Sequence, residues 1–136
     1  MSLRLAGYAA LFDRVDRGGD IVRRGAFRRS LGEAARPLPL LWQHRPDRRI
    51  GSVTLAQEDR RGLRVIAALD DTADEAVAAL RSGAVRGLSF GYRVRHAQGT
   101  SPRELFDLDL VEVSLVSVPM MPGARVHMLR LSLIHI

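Results

Sequence analysis

Gly87-Leu88-Ser89-Phe90-Gly91-Tyr92-Arg93-Val94 is the stretch on which the fold turns. Its large apolar residues fall at every second position. Leu88, Phe90, Tyr92 and Val94 share one face; Gly87, Ser89, Gly91 and Arg93 share the other. A period of two is that of a β-strand with one face packed inward. The opposite face is nearly bare around Ser89, because both neighbours two residues away lack side chains. A peptide backbone could approach the hydroxyl there. On pattern alone, a serine in a glycine-softened strand explains the same residues equally well.

The neighbouring segments extend the β reading. Residues 85–96 and 104–118 form two long strands joined by a polar loop at 97–102. Upstream, residues 50–56 and 62–69 read as a hairpin. Residues 3–12 and 38–44 read as two further strands, the latter followed by an Arg45-Pro46-Asp47 turn. Thr72-Ala73-Asp74-Glu75 has the form of a capping box, with Thr72 as N-cap and Glu75 reaching back. It opens a helix that buries Ala76, Val77 and Leu80 and ends at Gly83. Within residues 21–35, the spacing of Phe27, Leu31 and Ala34 predicts a second short helix, stopped before Pro37. About six strands with two short helices make a mainly β, α+β domain.

The chain has 136 residues, 46% of them hydrophobic, which suits one compact domain with a real core. Aromatics are only 5%, so Leu, Val and Ala must fill most of that core. The net charge is +6, and all 21 basic residues are Arg. Such a charge attracts an acidic partner, nucleic acid or an acidic scaffold protein. The arginines are scattered and few aromatics interleave with them, so a solvated basic surface is favoured and nucleic acid is disfavoured as a partner. There is no cysteine. Disulfides, a thiol nucleophile and thiolate metal sites are therefore excluded, and a reducing cytoplasm fits. No apolar run approaches the ~20 residues of a membrane span. No apolar h-region marks a signal peptide. Residues 1–128 are read as one domain. Residues 129–136, apolar to the end, are read as a tail of doubtful role, either a last strand or a foreign or truncated end.

Three segments carry the candidate chemistry. Leu40-Leu41-Trp42-Gln43-His44 supplies an imidazole, Ser89 a hydroxyl, and Glu112-Val113-Ser114-Leu115-Val116-Ser117-Val118-Pro119 a carboxylate. Nucleophile, base and orienting acid are what a serine hydrolase needs. His44 ends an apolar strand, and taken alone it reads more simply as a surface or capping histidine. Glu112 shares a strand face with Leu108, Leu110, Val116 and Val118, so if buried it needs a partner, either a histidine or one of the arginines. Asp107 and Asp109 lie on the alternate face and look more solvated. His96 closes the Ser89 strand; His127 and His135 sit near the C-terminus. Residues 87–91 match G-x-S-x-G by letter but lack the strand-turn-helix of a nucleophile elbow.

The set in this order resembles the prohead (capsid maturation) proteases of tailed phages and gene transfer agents, distant relatives of the herpesvirus capsid maturation proteases. The resemblance covers residues 5–125 and includes Gly7-Tyr8-Ala9-Ala10-Leu11-Phe12 and Gly25-Ala26-Phe27. It implies a small antiparallel β-barrel with two short flanking helices. It implies a serine endopeptidase with Ser89 as nucleophile, His44 as base and Glu112 as third member. Because the herpesvirus relatives use a second histidine, His96 is the alternative third member. Gly123 and Arg125 are the implied oxyanion candidates, although the arginine pair of those relatives is absent here. No metal or cofactor is implied. The implied substrates are the major capsid protein, the scaffold and the protease itself, with self-association. The implied setting is an assembling procapsid or gene transfer agent particle in a bacterial cytoplasm, away from membranes. The family's C-terminal extension is expected to be missing. The competing reading is a non-enzymatic basic β-barrel serving as a capsid or scaffold component or a nucleic-acid-binding module.

Overall fold

The computed structural model describes residues 2–33 and 37–132. Eight strands and two helices follow in the order β1 (Ser2–Leu11), β2 (Asp20–Val22), α1 (Arg28–Glu33), β3 (Leu38–Trp42), β4 (Arg45–Glu58), β5 (Gly62–Leu69), α2 (Asp74–Ser82), β6 (Gly87–Gln98), β7 (Arg103–Val116) and β8 (Val126–Ser132). The mainly β reading therefore holds. All eight strands belong to one sheet, ordered β2-β7-β3-β4-β5-β1-β8, with β6 on β7.

The sheet departs from a closed antiparallel barrel in two ways. First, β2 and β3 both run parallel to β7, at Asp20↔Arg103 to Val22↔Leu105 and at Leu40↔Val113 to Trp42↔Leu115. Second, β8 and β6 meet at a single bridge, Gly87↔Arg125, rather than along a ladder. The seam has two flanking hydrogen bonds, Leu88 N–H to the Ala124 carbonyl (3.0 Å) and Val126 N–H to the Arg86 carbonyl (2.9 Å). Residues 129–132, assigned to the tail, continue β8 against β1; residues 133–136 lie outside the described residues.

The β7 edge between its two parallel partners would leave donors unpaired. They are satisfied by α1 and the turn before it: Leu108 N–H donates to the Ala26 carbonyl (2.9 Å) and Leu110 N–H to Ser30 Oγ (2.8 Å). Arg29 fixes the same junction, meeting Asp109 at 2.6 Å and Asp107 at 3.1 Å. Both carboxylates are thus paired rather than merely solvated.

The helices differ from expectation at their starts. The short helix expected from the Phe27 and Leu31 spacing forms as α1, starting one residue after Phe27. Ile21 and Val22 extend into β2, Gly25 adopts φ 88°, and α1 begins only at Arg28. The positive φ breaks any helix that would include it. Ala34 and Ala35 lie outside the described residues. In α2 the cap residue is Ala73, and no side chain caps the helix, so the capping box does not form. Its end is as expected, with Gly83 at φ 79°. Among the described residues, no helix is long and apolar enough to cross a membrane.

The core is chiefly Leu, Val and Ala. Leu5, Leu40, Leu63, Leu80, Leu88, Leu108 and Leu115 are fully buried around Phe27. Buried Leu88, Val113 and Leu115 turn one face of the β6-β7-β3 region inward. By alternation, Ser89, Gly91, Glu112 and Ser114 occupy the other face.

Candidate active site

Register brings the site together. Along β6 and β7, Ser89 pairs with Ser114 and Gly91 with Glu112. On the far side of β7, Leu41 pairs with Ser114 and Trp42 with Leu115, so the chain leaves β3 beside the Leu115–Ser117 stretch and reaches back toward Glu112 only through its turn. The β3–β4 hairpin turns through two residues, because Trp42 pairs with Arg45. The turn is therefore Gln43-His44, and Arg45-Pro46-Asp47 already belongs to β4.

Gln43 and His44 both have left-handed backbone, at φ 52° and φ 60°. A two-residue hairpin of type I′ requires this at both positions and normally uses Asn and Gly. For larger residues the conformation costs of order 1 kcal/mol or more each, and it persists where its surroundings over-determine it. Here β7 does so. Gln43 N–H donates to the Leu115 carbonyl (2.9 Å), and its side-chain amide exchanges two bonds with Ser117, Nε2–H to Oγ (2.7 Å) and Oε1 from Ser117 N–H (3.0 Å). His44 N–H donates to Ser114 Oγ (3.1 Å).

This fixes the imidazole on Glu112, with His44 Nδ1 2.6 Å from Glu112 Oε1. An ionised carboxylate only accepts, so Nδ1 carries the proton and Nε2 is the basic nitrogen. The other oxygen of Glu112, Oε2, accepts the Ser114 hydroxyl proton at 2.7 Å. The Glu112 side chain is 9% exposed and that of His44 44%. The hydrogen bond to Glu112 raises the pKa of His44 above its ordinary value, and burial opposes this in part.

Gly91 permits the pairing. A Cβ there would lie 2.9 Å from both Cγ and Cδ of Glu112. Gly87 is constrained as well, since its Cβ would meet Pro119 Cδ at 2.8 Å and the Val116 carbonyl at 2.7 Å. The two glycines thus make room for Glu112 and Pro119, rather than only baring a face for a substrate.

Ser89 is 4% exposed. Its Oγ accepts a hydrogen bond from the Met120 N–H at 3.0 Å, and among the described residues no hydrogen bond joins it to His44. Ser89 and His44 line one cavity of about 100 Å³, together with Ala9, Ala10, Phe90 and Met121. The Met120 peptide is itself held, because Arg17 N–H donates to the Met120 carbonyl (2.9 Å) and Arg17 Nε to that of Pro119 (3.0 Å).

The remaining candidates lie elsewhere. His96 stacks near Phe106 with its Nε2 3.3 Å from Gln98, and it does not touch His44. Gly123 is in the loop after β7 at φ 92°, and Arg125 bridges Gly87 with its carbonyl accepting from Tyr8 N–H. His127 packs edge-on to Tyr8, and His135 is outside the described residues. Three contributors escaped the sequence reading. Ser114 had a visible signal, lying two residues from Glu112 on the same strand face. Gln43 had none, since it acts through turn geometry; the Met120 N–H acts through the backbone and opens the 120–125 stretch in which the resemblance placed the oxyanion donors.

A family model described as Caudovirus prohead serine protease matches residues 1–135. The prohead protease of Enterobacteria phage HK97 is 33% identical over 92 residues, covering 65% of this chain and 41% of that protein. The chain spans between 14% and 58% of the lengths of the phage proteins it matches. In structure it is similar to the bacteriophage T4 capsid assembly protease (TM-score 0.68, 14% identity, 85% of this chain and 81% of that one). It is equally similar to KSHV protease in complex with a hexapeptide phosphonate inhibitor (TM-score 0.68, 14% identity, 97% and 66%). These two likenesses establish a shared fold.

Proposed function

Because the chain belongs to the Caudovirus prohead serine protease family, we propose that it is a serine endopeptidase acting through Ser89, His44 and Glu112. The observation that carries this reading is the 2.6 Å contact of His44 with a nearly buried Glu112, in a turn that also borders the Ser89 cavity. Ser89 Oγ attacks the scissile carbonyl carbon while its proton passes to His44 Nε2. Glu112 keeps the imidazole in the right tautomer and stabilises the imidazolium. The carbonyl oxygen becomes an anion two bonds from Oγ, within reach of the Met120 N–H. That donor, rather than Gly123 or Arg125, is the oxyanion candidate aimed at the reacting centre. The C–N bond then breaks as His44 returns the proton to the departing amine. Water, deprotonated by the same nitrogen, hydrolyses the acyl ester.

The substrates are the major capsid protein, the scaffold and the chain itself, cut inside an assembling procapsid in a bacterial cytoplasm, where copies of the protease associate. Co-expression with a tailed-phage major capsid protein as candidate substrate, followed by intact-mass spectrometry, tests this. Truncated capsid protein with the wild type and full-length capsid protein with Ser89→Ala is the expected result. Equal truncation by both would refute the assignment.

A further inference from the structure

A second concave surface lies on strands that do not carry Ser89, His44 or Glu112. In β1, Leu3 and Leu5 point into the core, so Arg4, Ala6 and Tyr8 point outward. Pairing sets Ile66 and Met128 on either side of Ala6, Arg64 beside Tyr8, and Arg130 beside Arg4. The result is an apolar floor of Ala6, Ile66 and Met128 with arginines at both ends, Arg4 and Arg130 at one and Arg61 and Arg64 at the other. These residues line a groove of about 610 Å³.

The charge in this groove is unspent. Among the described residues, Arg23, Arg29 and Arg103 are tied to carboxylates at 2.6 to 2.8 Å, whereas Arg4, Arg61, Arg64 and Arg130 form no salt bridge. The Nε of Arg4 is buried and, among the described residues, has no hydrogen-bond partner. A buried guanidinium donor without a partner is costly, and the same guanidinium, which lines the groove, carries further donors for a carboxylate supplied from outside. The nearby carboxylate, Asp59, is already engaged by the Tyr8 hydroxyl and by the N–H groups of Arg61 and Gly62.

The floor identifies the class of partner. Met128 is 59% exposed beside half-buried Ile66 and Ala6, a surface suited to aliphatic side chains. Single-stranded nucleic acid would need open aromatic faces on which to stack its bases. Tyr8 offers none, since Arg61 covers its ring at 5.0 Å and His127 forms a T-shaped pair with it at 5.8 Å. Burial, with Arg125 and Arg61 nearby, holds the His127 imidazole below its ordinary pKa, so the groove's positive charge comes from the arginines. We propose that the outer face of β5, β1 and β8 is a docking groove for a protein segment in which acidic and aliphatic residues are interspersed.

The test is a binding measurement on the Ser89→Ala protein, so its outcome is separate from that of any cleavage assay. A fluorescein-labelled peptide of repeated Glu-Leu-Glu-Ala units is followed by anisotropy, with a single-stranded oligothymidylate of equal charge as competitor. The peptide is expected to bind. Arg4→Gln combined with Arg64→Gln is expected to weaken binding about tenfold or more, and Ile66→Thr several-fold. Arg81→Gln on the distant α2 should leave it unchanged. Thermal unfolding checks each variant, and the exposed Arg130→Gln provides a second groove substitution should Arg4→Gln fail to fold. No binding, an equal loss in Arg81→Gln, unchanged affinity in folded groove variants, or preference for the oligothymidylate overturns the proposal.

Discussion

His44 and Glu112 meet at 2.6 Å and each is held by further bonds, whereas Ser89 shares a cavity with His44 but no hydrogen bond. The acid–base half of the site is assembled in advance: two left-handed residues are clamped to β7, a hydroxyl steadies the carboxylate, and a glycine clears its path. In the half that carries Ser89, the Ser89 oxygen is engaged by a backbone donor and, among the described residues, His44 Nε2 makes no hydrogen bond. On the proposed assignment, the base is oriented before substrate arrives, and the proton-transfer contact is left to the substrate-bound state. Strand register fixes the first half. The second depends on the loop that carries Met120, which Arg17 holds from outside the sheet.

The largest effect is expected on the nucleophile side. Ser89→Ala should reduce peptide hydrolysis by roughly 10⁴-fold or more, with the fold retained by circular dichroism. Substantial residual turnover would transfer the role to another group. On the acid–base side, Glu112→Gln should cost about 10²- to 10⁴-fold in kcat. It should also move the acid limb of the pH–rate profile. Glu112 raises the pKa of His44, and attack requires neutral His44, so the wild-type limb should lie above the ordinary imidazole value of about 6.5. Removing the carboxylate should shift that limb to lower pH. An unmoved limb would separate His44 from Glu112 functionally. His96→Ala should leave both rate and limb unchanged.

Gly91→Ala sharpens the same contrast without touching a titrating group. Its Cβ displaces Glu112, so a loss of about 10- to 100-fold, accompanied by the same downward shift of the acid limb, is expected. A rate loss with the limb in place would mean that the glycine only supports the strand. The smallest effect should come from Gln43→Ala, which removes two bonds that hold the strained turn. A few-fold lower kcat and about 1 to 2 kcal/mol less stability to denaturant are expected. Unchanged stability would show that the backbone bonds alone secure the turn.

Where a residue's role follows from its own alternation, the sequence was readable. Leu88, Phe90 and Tyr92 marked the inward face of β6, but the face shared by Glu112, Leu108 and Leu110 did not hold: the register shifts between Gly91 and Tyr92, so Glu112 pairs with Gly91 and Leu110 with Tyr92, on opposite faces. Roles set by a distant partner were not readable. Nothing local to Leu40 or Asp20 indicates parallel pairing with β7, and nothing near Val126 indicates that β8 meets β6 at one bridge only. The capping box at Thr72 failed because helix onset responds to tertiary placement as well as to propensity. The Gln43-His44 turn was placed late because neither residue favours positive φ; contacts with Ser114, Leu115 and Ser117 impose it. Gly87 and Gly91 were correctly marked as close-approach positions, but what approaches them belongs to the protein itself.

The assignment of Ser89 as a nucleophile activated by His44 is tested most directly by covalent labelling with a fluorophosphonate. The adduct is located by peptide mass mapping, and its rate of formation is followed against pH. A single adduct on Ser89 is expected, forming at a rate that rises through a limb above about 6.5 and collapses in His44→Ala. An adduct on another residue, no adduct, or labelling of Ser89 at an undiminished rate in His44→Ala would contradict it.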